Sequence, residues 1–542
     1  MTTIVISLLS LAVFWGALAY FGYVRLKTLL VYFQQEEYDT RRFFAAWRII
    51  HLFDVVASSL LSLGFVLTLA DLDGEALLVL LALALPVIAE REARYHFKKP
   101  LVMTGRAERL FGLSLALAAV WIFTVLALAA VVTTSASAQF LLGVVSIQAL
   151  PLALVAANAM RKPSEERRNR AYIAEASQKL AGFTGVRIGV TGSFGKTSVK
   201  HILGSLLALD GPVFFSRGSV NTVLGLTRHI RQRLQPAHKY FIAEMGAYRR
   251  GSIQRLAEFV RPEIGIVTAV GEAHLERFGT IEDTARAKAE LAEFVCDHGR
   301  LVIVTEAVAA LEPFAGLKAK HPDRFVVCGE GESADVRLVA NALTPQGRVL
   351  DIAMDGQVMR LVSPLLGGYN ALNLCLCLAA IRAVAPEVLP VVPAALAELD
   401  QVPHRLEKRE SARGPLVLDD AYNANEAGMR EAIAVARTLA DQRGGRAAIV
   451  TPGIVELGMS HDAVHRDLGA HAGAMSDLVL VVNAERIESF AEAAESAGRA
   501  EVTRHRTLAE ARKALAAHAL GDKDVVLYAN DLPDVIEDRR IL

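Results

Sequence analysis

Cysteine is scarce: four residues in 542, at Cys296, Cys328, Cys375 and Cys377. That excludes a disulfide framework. Only Cys375 and Cys377 lie close together, a C-x-C with no second pair to complete a zinc site. All four read as reduced core residues of a cytoplasmic domain. Net charge is also missing, because 58 basic residues balance 58 acidic ones. Whole-chain charge therefore offers nucleic acid no footing, and none is expected as a partner. No internal repeat and no low-complexity tract is visible, which sets aside solenoids and long disordered linkers.

Hydrophobic residues, by contrast, make up 53% of the chain and crowd into its first 160 positions. Five apolar stretches stand out there: Thr3–Tyr23, His51–Leu69, Ala76–Ala89, Leu110–Val132 and Ala138–Ala157. A helix needs about 20 apolar residues to cross a bilayer, and all but the third approach that length. Basic residues alternate between their connections. Arg25, Lys27, Arg41, Arg42 and Arg48 follow the first stretch, Arg91, Arg94, Lys98, Lys99, Arg106 and Arg109 the third, and Arg161, Lys162, Arg167, Arg168 and Arg170 the fifth. The connections DLDGE and TTSASAQ hold no Lys or Arg. This asymmetry predicts the N-terminus outside, the basic loops inside and everything after Arg161 in the cytoplasm. No basic residue precedes the first apolar run, so it reads as an uncleaved anchor rather than a signal peptide. Charges are nearly absent from the stretches, so no ion or proton path is expected in them.

Beyond the charged segment MRKPSEERRNR the pattern changes to α/β. The runs VRIGV, YFIAEMG, EIGIVTAV, LVIVT and RFVVCG read as strands alternating with helices. Residues 336–362 read as a hairpin appendage, and a second series, PLVLDD, AAIVTPG, DLVLVVN and DVVLYAN, starts near Val402. The expected architecture is an N-terminal α-helical transmembrane bundle of about five helices (1–160), a charged cytoplasmic linker (161–184) and two α/β domains (185–400 and 401–542).

One short stretch carries chemistry. VTGSFGKTS, Val190–Ser198, lies between a strand and a helix-forming segment. Gly192 and Gly195 let a backbone turn approach phosphates without a Cβ clash. Backbone N–H groups and the helix N-terminus, including that of Ser198, then face anionic oxygens. Lys196 suits the terminal phosphates and the Thr197 hydroxyl suits Mg²⁺. Glu244 ends a later strand with a carboxylate, and His274 follows the next. Lys288 has Thr284, Ala285, Leu291 and Ala292 at helical spacing, none of them charged, whereas Arg286 has Glu282, Asp283 and Glu290 within range. Arg286 therefore reads as solvated surface, and Lys288 is left for another task.

Together with SVNTVLGL, AEMGA, VGEAHLERFGTIEDTARAKAEL, GGYNALN, HRLE, LDDAYNAN and VELG, these residues resemble the Mur ligase family. Its members are ATP-dependent amide-forming enzymes of peptidoglycan synthesis, and the likeness is to the D-alanyl-D-alanine-adding branch. The resemblance covers roughly Val186 to the C-terminus. It implies a P-loop central domain and a Rossmann-like C-terminal domain that convert a carboxylate to an acyl phosphate, capture it with an amine and release ADP and phosphate. It further implies that Lys196 and Thr197 hold the phosphates and a first Mg²⁺, with Glu244 as that metal's carboxylate. His274 would serve a second Mg²⁺ together with a carbamylated Lys288. Asn370 and Asn373 would lie near the adenine and Arg405 at the phosphates. Asp419, Asp420, Tyr422, Asn423 and Asn425 would form a loop toward ribose and the amine, with Asn425 also capping a helix.

The sequence departs from the family at Tyr369, where a histidine is usual, at Glu426, where a proline is usual, and at Ala529–Asp534, where K-G-S is usual. Apolar helices also stand where a UDP-binding domain is expected. These departures favour a carboxylate acceptor at or near the membrane, such as a lipid-linked glycan or a poly-amino-acid chain, over a UDP-linked precursor. Other readings are a non-catalytic nucleotide-binding scaffold and an ATP-driven transporter.

Overall fold

The computed structural model describes residues 2–530 apart from 46, 48–51, 96, 98–99, 133–134, 217, 248, 272–279, 411–413, 422–424, 456 and 458–459. Two compact units divide the chain, residues 1–169 and 170–531.

The first unit is helical. Its elements are α1 (Thr2–Gln35), α2 (Thr40–Ala45), α3 (Val56–Leu69), α4 (Gly74–Ala93), α5 (Gly105–Val132), α6 (Ala136–Gln148) and α7 (Leu150–Ala181), the last continuing into the second unit. All five apolar stretches hold helix, the second from Val56 onward. Among the described residues two helices, Ser7–Gln35 and Gly105–Leu128, are long and apolar enough to cross a membrane. The count is three if α6 and α7, bent by 42° at their junction, form one span. Helix α3 has 14 residues, about 21 Å of rise, and α4 carries Glu75, Glu90, Arg91 and Glu92.

Helix α1 runs 12 residues past the expected end of its apolar stretch at Tyr23, to Gln35, so Arg25 lies inside the helix rather than in a basic loop. Arg25 is 4% exposed and its Nη1 bonds Glu92 Oε1 on α4 at 2.9 Å. Nearby, Asp54 is buried and accepts from Ser58 N at 2.8 Å. Gln148 Nε2 donates to Ser58 Oγ at 2.8 Å. The core is thus less uncharged than the sequence suggests, and the ion pair is what makes burial of the guanidinium tolerable.

The second unit holds two sheets. The first joins β1 (Val186–Thr191), β2 (Val213–Phe215), β3 (Tyr240–Glu244), β4 (Ile264–Val267), β5 (Leu301–Thr305), β6 (Phe325–Gly329), β7 (Val336–Thr344), β8 (Gly347–Met354) and β9 (Gln357–Ser363). Their order is β2-β3-β1-β4-β5-β6-β7-β8-β9. Pairing is parallel through β7 and antiparallel beyond it. The expected hairpin appendage is therefore a three-stranded meander that extends the same sheet. The second sheet joins β10 (Glu407–Arg409), β11 (Leu416–Asp420), β12 (Ala447–Thr451), β13 (Leu478–Val482), β14 (Glu501–His505) and β15 (Val525–Ala529) in the order β10-β11-β15-β12-β13-β14. Strands β2, β10 and β14 were not foreseen. β2 and β10 have three residues each, and β14, EVTRH, has no apolar run.

Central strands such as β3 and β13 are buried at every position, as expected when helices cover both faces of a parallel sheet. All four cysteines are buried and free. The last turns of α7 are tied into this unit by charge. Lys179 Nζ donates to Ile230 O and Arg231 O at 3.1 Å, and Arg187 Nη2 donates to Leu180 O and Phe183 O at 2.9 Å. Arg231 bonds Glu175 at 2.7 Å and stacks 4.0 Å from the Tyr172 ring.

Candidate functional site

The glycine-rich turn leaves the carboxyl end of β1, and β1 sits between β3 and β4. Gly192 and Gly195 have φ of 149° and 80°, conformations that side chains rarely adopt. Ser193 N donates to Ala269 O at 2.6 Å, Ser193 Oγ and Gly271 exchange 3.1 Å bonds, and Thr268 Oγ1 bonds Phe194 O. The loop is therefore fixed to the exit of β4 before any ligand arrives.

Helix α8 (Lys196–Leu207) starts at Gly195. The Lys196 ammonium donates to Gly192 O at 2.6 Å and to Ser193 O at 3.0 Å. Burial pushes its pKa down to about 8, opposed by Glu244 and reinforced by Arg405. Thr197 Oγ1 lies 3.1 Å from Glu244 Oε2. Ser198 is buried in the same turn. The hydroxyl and carboxylate oxygens are hard donors, a set that fits a divalent cation such as Mg²⁺.

Sequence reasoning missed two residues that hold Glu244. Lys200 is fully buried, with Nζ 2.9 Å from Glu244 Oε2 and a bond to Gly218 O. Asn221 Nδ2 donates to Glu244 Oε1 at 3.2 Å. Lys200 falls one helical turn after Lys196, and that spacing was the available signal. Its ammonium shares the oxygen that faces Thr197.

Lys288 lies on α11, taking α9 as Val223–Arg233, α10 as Ser252–Val260 and α11 as Ile281–His298. It is 4% exposed, and among the described residues no hydrogen bond or ion pair joins its ammonium. Burial, then repulsion from Lys196, lowers its pKa well below the ordinary lysine value. Arg286 lies on the exposed face, 3.8 Å from Asp283. A buried amine favoured as free base fits carbamylation, which requires the neutral nucleophile.

Asn370 and Asn373 are buried in the first turn of α12 (Tyr369–Val384) and bond each other at 3.2 Å. A Cβ added at Gly195 would meet Asn373 Oδ1 at 2.7 Å, so this turn abuts the phosphate-type loop. Arg405 reaches electrostatically to Lys196 on one side and to Asp420 and Tyr369 on the other. Asp420 accepts from Leu406 N at 3.1 Å, and burial pushes its pKa up to about 7. Asp419 is committed elsewhere, with His404 Nδ1 at 3.0 Å and Arg409 Nη2 at 2.8 Å from its Oδ2. His404, Glu407 and Asp419 cluster as metal ligands might, but Arg409 bonds both carboxylates and its guanidinium takes the cation's place. Asn425 Oδ1 caps α13 (Glu426–Arg443), accepting from Gly428 N at 2.9 Å. His274, Tyr422 and Asn423 lie outside the described residues.

The geometry brings the loop, Lys196, Thr197, Glu244, Lys288, Asn373 and Arg405 into one neighbourhood and leaves Asp419 in a separate ion-pair network. Residues 190–381 match the Mur ligase middle domain, and residues 404–530 match the Mur ligase, glutamate ligase domain. This part of the chain belongs to the Mur ligase family. Its likeness within the family is to MurF. UDP-N-acetylmuramoyl-tripeptide–D-alanyl-D-alanine ligase of Escherichia coli is 30% identical over 296 residues, 54% of this chain and 64% of the relative. The same enzyme of Mycobacterium tuberculosis is 34% identical over 322 residues, 57% of this chain and 60% of the relative. The chain thus spans less than two thirds of either relative's length. Among solved structures, MurF from Acinetobacter baumannii matches with a TM-score of 0.57 and 25% identity, covering 68% of this chain and 78% of that one. MurF of Thermotoga maritima in complex with ADP matches at 0.55 and 26%, covering 68% and 82%.

Proposed function

We propose that residues 170–531 form an ATP-dependent, ADP-forming amide ligase that joins D-alanyl-D-alanine to the carboxylate of a peptidoglycan precursor. One observation carries this reading: a phosphate-type loop, a Thr–Glu oxygen pair and a buried lysine unpaired among the described residues lie in one neighbourhood, which is the set of groups phosphoryl transfer to a carboxylate needs. A carboxylate is a poor electrophile until one of its oxygens becomes part of a phosphate leaving group. In this reading the backbone of Gly192–Lys196 cradles the nucleotide phosphates, and Lys196 swings from its carbonyl partners to the transferring phosphoryl, where negative charge builds up. Arg405 adds positive charge from the C-terminal domain, and Asn370 and Asn373 flank the base. Thr197 and Glu244 would hold one Mg²⁺, and carbamylated Lys288 with His274 a second. When bound, the ions supply charge neutralisation on the phosphoryl oxygens. Lys200 and Asn221 keep the Glu244 carboxylate aimed at Thr197.

The chain is further read as a plasma-membrane protein of a bacterium, N-terminus outside and ligase in the cytoplasm. Support comes from α4, where Leu80, Leu83 and Val87 form an exposed stripe at helical spacing, and from α5, where Phe123 is 74% exposed. This anchoring favours an acceptor that is itself lipid-linked. ADP release should be measured with UDP-linked muramoyl tripeptide and with its lipid-linked counterpart, each with and without D-alanyl-D-alanine. ADP formation that requires both an acceptor and the dipeptide is expected. Turnover indifferent to both would remove the ligase assignment.

A further inference from the structure

Four arginines of the first unit gather around a single buried carboxylate. Glu165, on α7, is 8% exposed. Arg109, in the first turns of α5, grips it with both forks, Nε–Oε1 at 2.9 Å and Nη2–Oε2 at 2.8 Å. Arg161 and Arg168, about one turn to either side on α7, bring guanidinium nitrogens to 3.8 and 3.9 Å from Oε1. Arg106 adds its charge from α5 while lying 4.0 Å over the Tyr38 ring. The Nε of Arg161 is buried with no hydrogen-bond partner among the described residues. The other acids of these turns, Glu108 and Glu166, are exposed.

Basic residues that merely set membrane orientation need not converge; splaying into water relieves their repulsion. Here they converge, one negative charge against four positive, and the shortfall is what an added anion would fill. The guanidinium fork matches phosphate oxygens in geometry as well as in sign. The cluster also sits where the candidate span Gly105–Leu128 begins, the level at which headgroup phosphates of a bilayer lie.

We infer that Arg106, Arg161 and Arg168, held in place by the Arg109–Glu165 pair, form a recognition site for the phosphate of a membrane-lipid headgroup. The site rests on the bilayer placement proposed above. It gives the first unit a ligand of its own, besides its role as an anchor.

Three probes separate the sources of that chemistry: dihexanoyl phosphatidic acid, dihexanoylglycerol with the same tails and no phosphate, and inorganic phosphate with no tails. Each is titrated into the full-length protein in detergent and followed by native mass spectrometry. One phosphatidic acid per chain is expected, at least tenfold tighter than either other probe. The double variant Arg161→Gln/Arg168→Gln should weaken it about 30-fold and Arg106→Gln alone about fivefold. Equal binding by the double variant, equal binding of dihexanoylglycerol, or inorganic phosphate as tight as the lipid each overturns the site. If the double variant does not fold, Arg106→Gln carries the test, since its charge makes no bond to Glu165. Carbonate extraction of membranes is run alongside. Release of the wild-type chain removes the bilayer reading and the site with it, whereas a retained chain with unaltered variants removes the site alone.

Discussion

Two buried cations, one from each unit, are treated in opposite ways. In the helical unit, Arg25 is taken out of water together with Glu92, at 2.9 Å. In the second unit, Lys288 is buried with no bonded partner among the described residues, and half-buried Lys196 lies close enough to repel it. Compensation in the first place serves the fold. Its absence in the second stores unfavourable electrostatics where phosphate and metal would relieve it, a common cost of a working site.

The sharpest way to break that contrast is Lys196→Met. ADP-forming turnover should fall by about 10³-fold or more, while the folded state gains stability at neutral pH. The sign follows from the shift: a pKa lowered to about 8 means the native state disfavours the charged lysine. Burial therefore costs stability below pH 8, of order 2–3 kcal/mol, and the cost fades as pH rises from 8 toward 10.5. Urea unfolding from pH 6 to 10 should show that slope in the wild type and a flat line in the variant. Next, Lys288→Ala should abolish turnover in a way that high bicarbonate does not restore but short carboxylates partly do; full activity would remove the carbamate. For the helical unit, Arg25→Met removes the guanidinium that faces Glu92 and should cost about 3–5 kcal/mol, most of it recovered in Arg25→Met/Glu92→Leu. Thermal unfolding in detergent measures both. If Arg25→Met is neutral, the two units do not differ in the way argued. The smallest effect is expected at Asp420. Its raised pKa means the protonated form stabilises the fold fully below 3.8, a contribution lost as pH climbs through about 7. Asp420→Asn should keep that stability at pH 8.

Much of the second unit is legible because its signals are local. Glycines at positive φ mark the loop, continuous apolar runs mark the buried parallel strands, and Lys288 betrays its burial by lacking a helical partner. The Asn425 cap is readable for the same reason. What escaped depends on segments distant in sequence. Lys200 resembles any lysine on a helix until β3 brings Glu244 against it. Arg25 resembles a loop base until α4 supplies Glu92. The meander β7–β9 resembles an appendage because nothing in its alternation says that β7 will pair with β6. Arg409 claims Asp419 from across an antiparallel pair, so a motif aspartate that reads as a ligand residue is tied up in structure.

The clasp made by Lys179, Arg187 and Arg231 sets a rule for dissection. Three of its participants, Tyr172, Glu175 and Lys179, precede the first strand in the chain. A water-soluble fragment designed to begin at Val186 would discard them, baring the carbonyls at the end of α9 and one flank of the sheet. Trimming should stop ahead of Tyr172, so that the helix that enters the second unit is kept as one of its structural parts rather than discarded as tether.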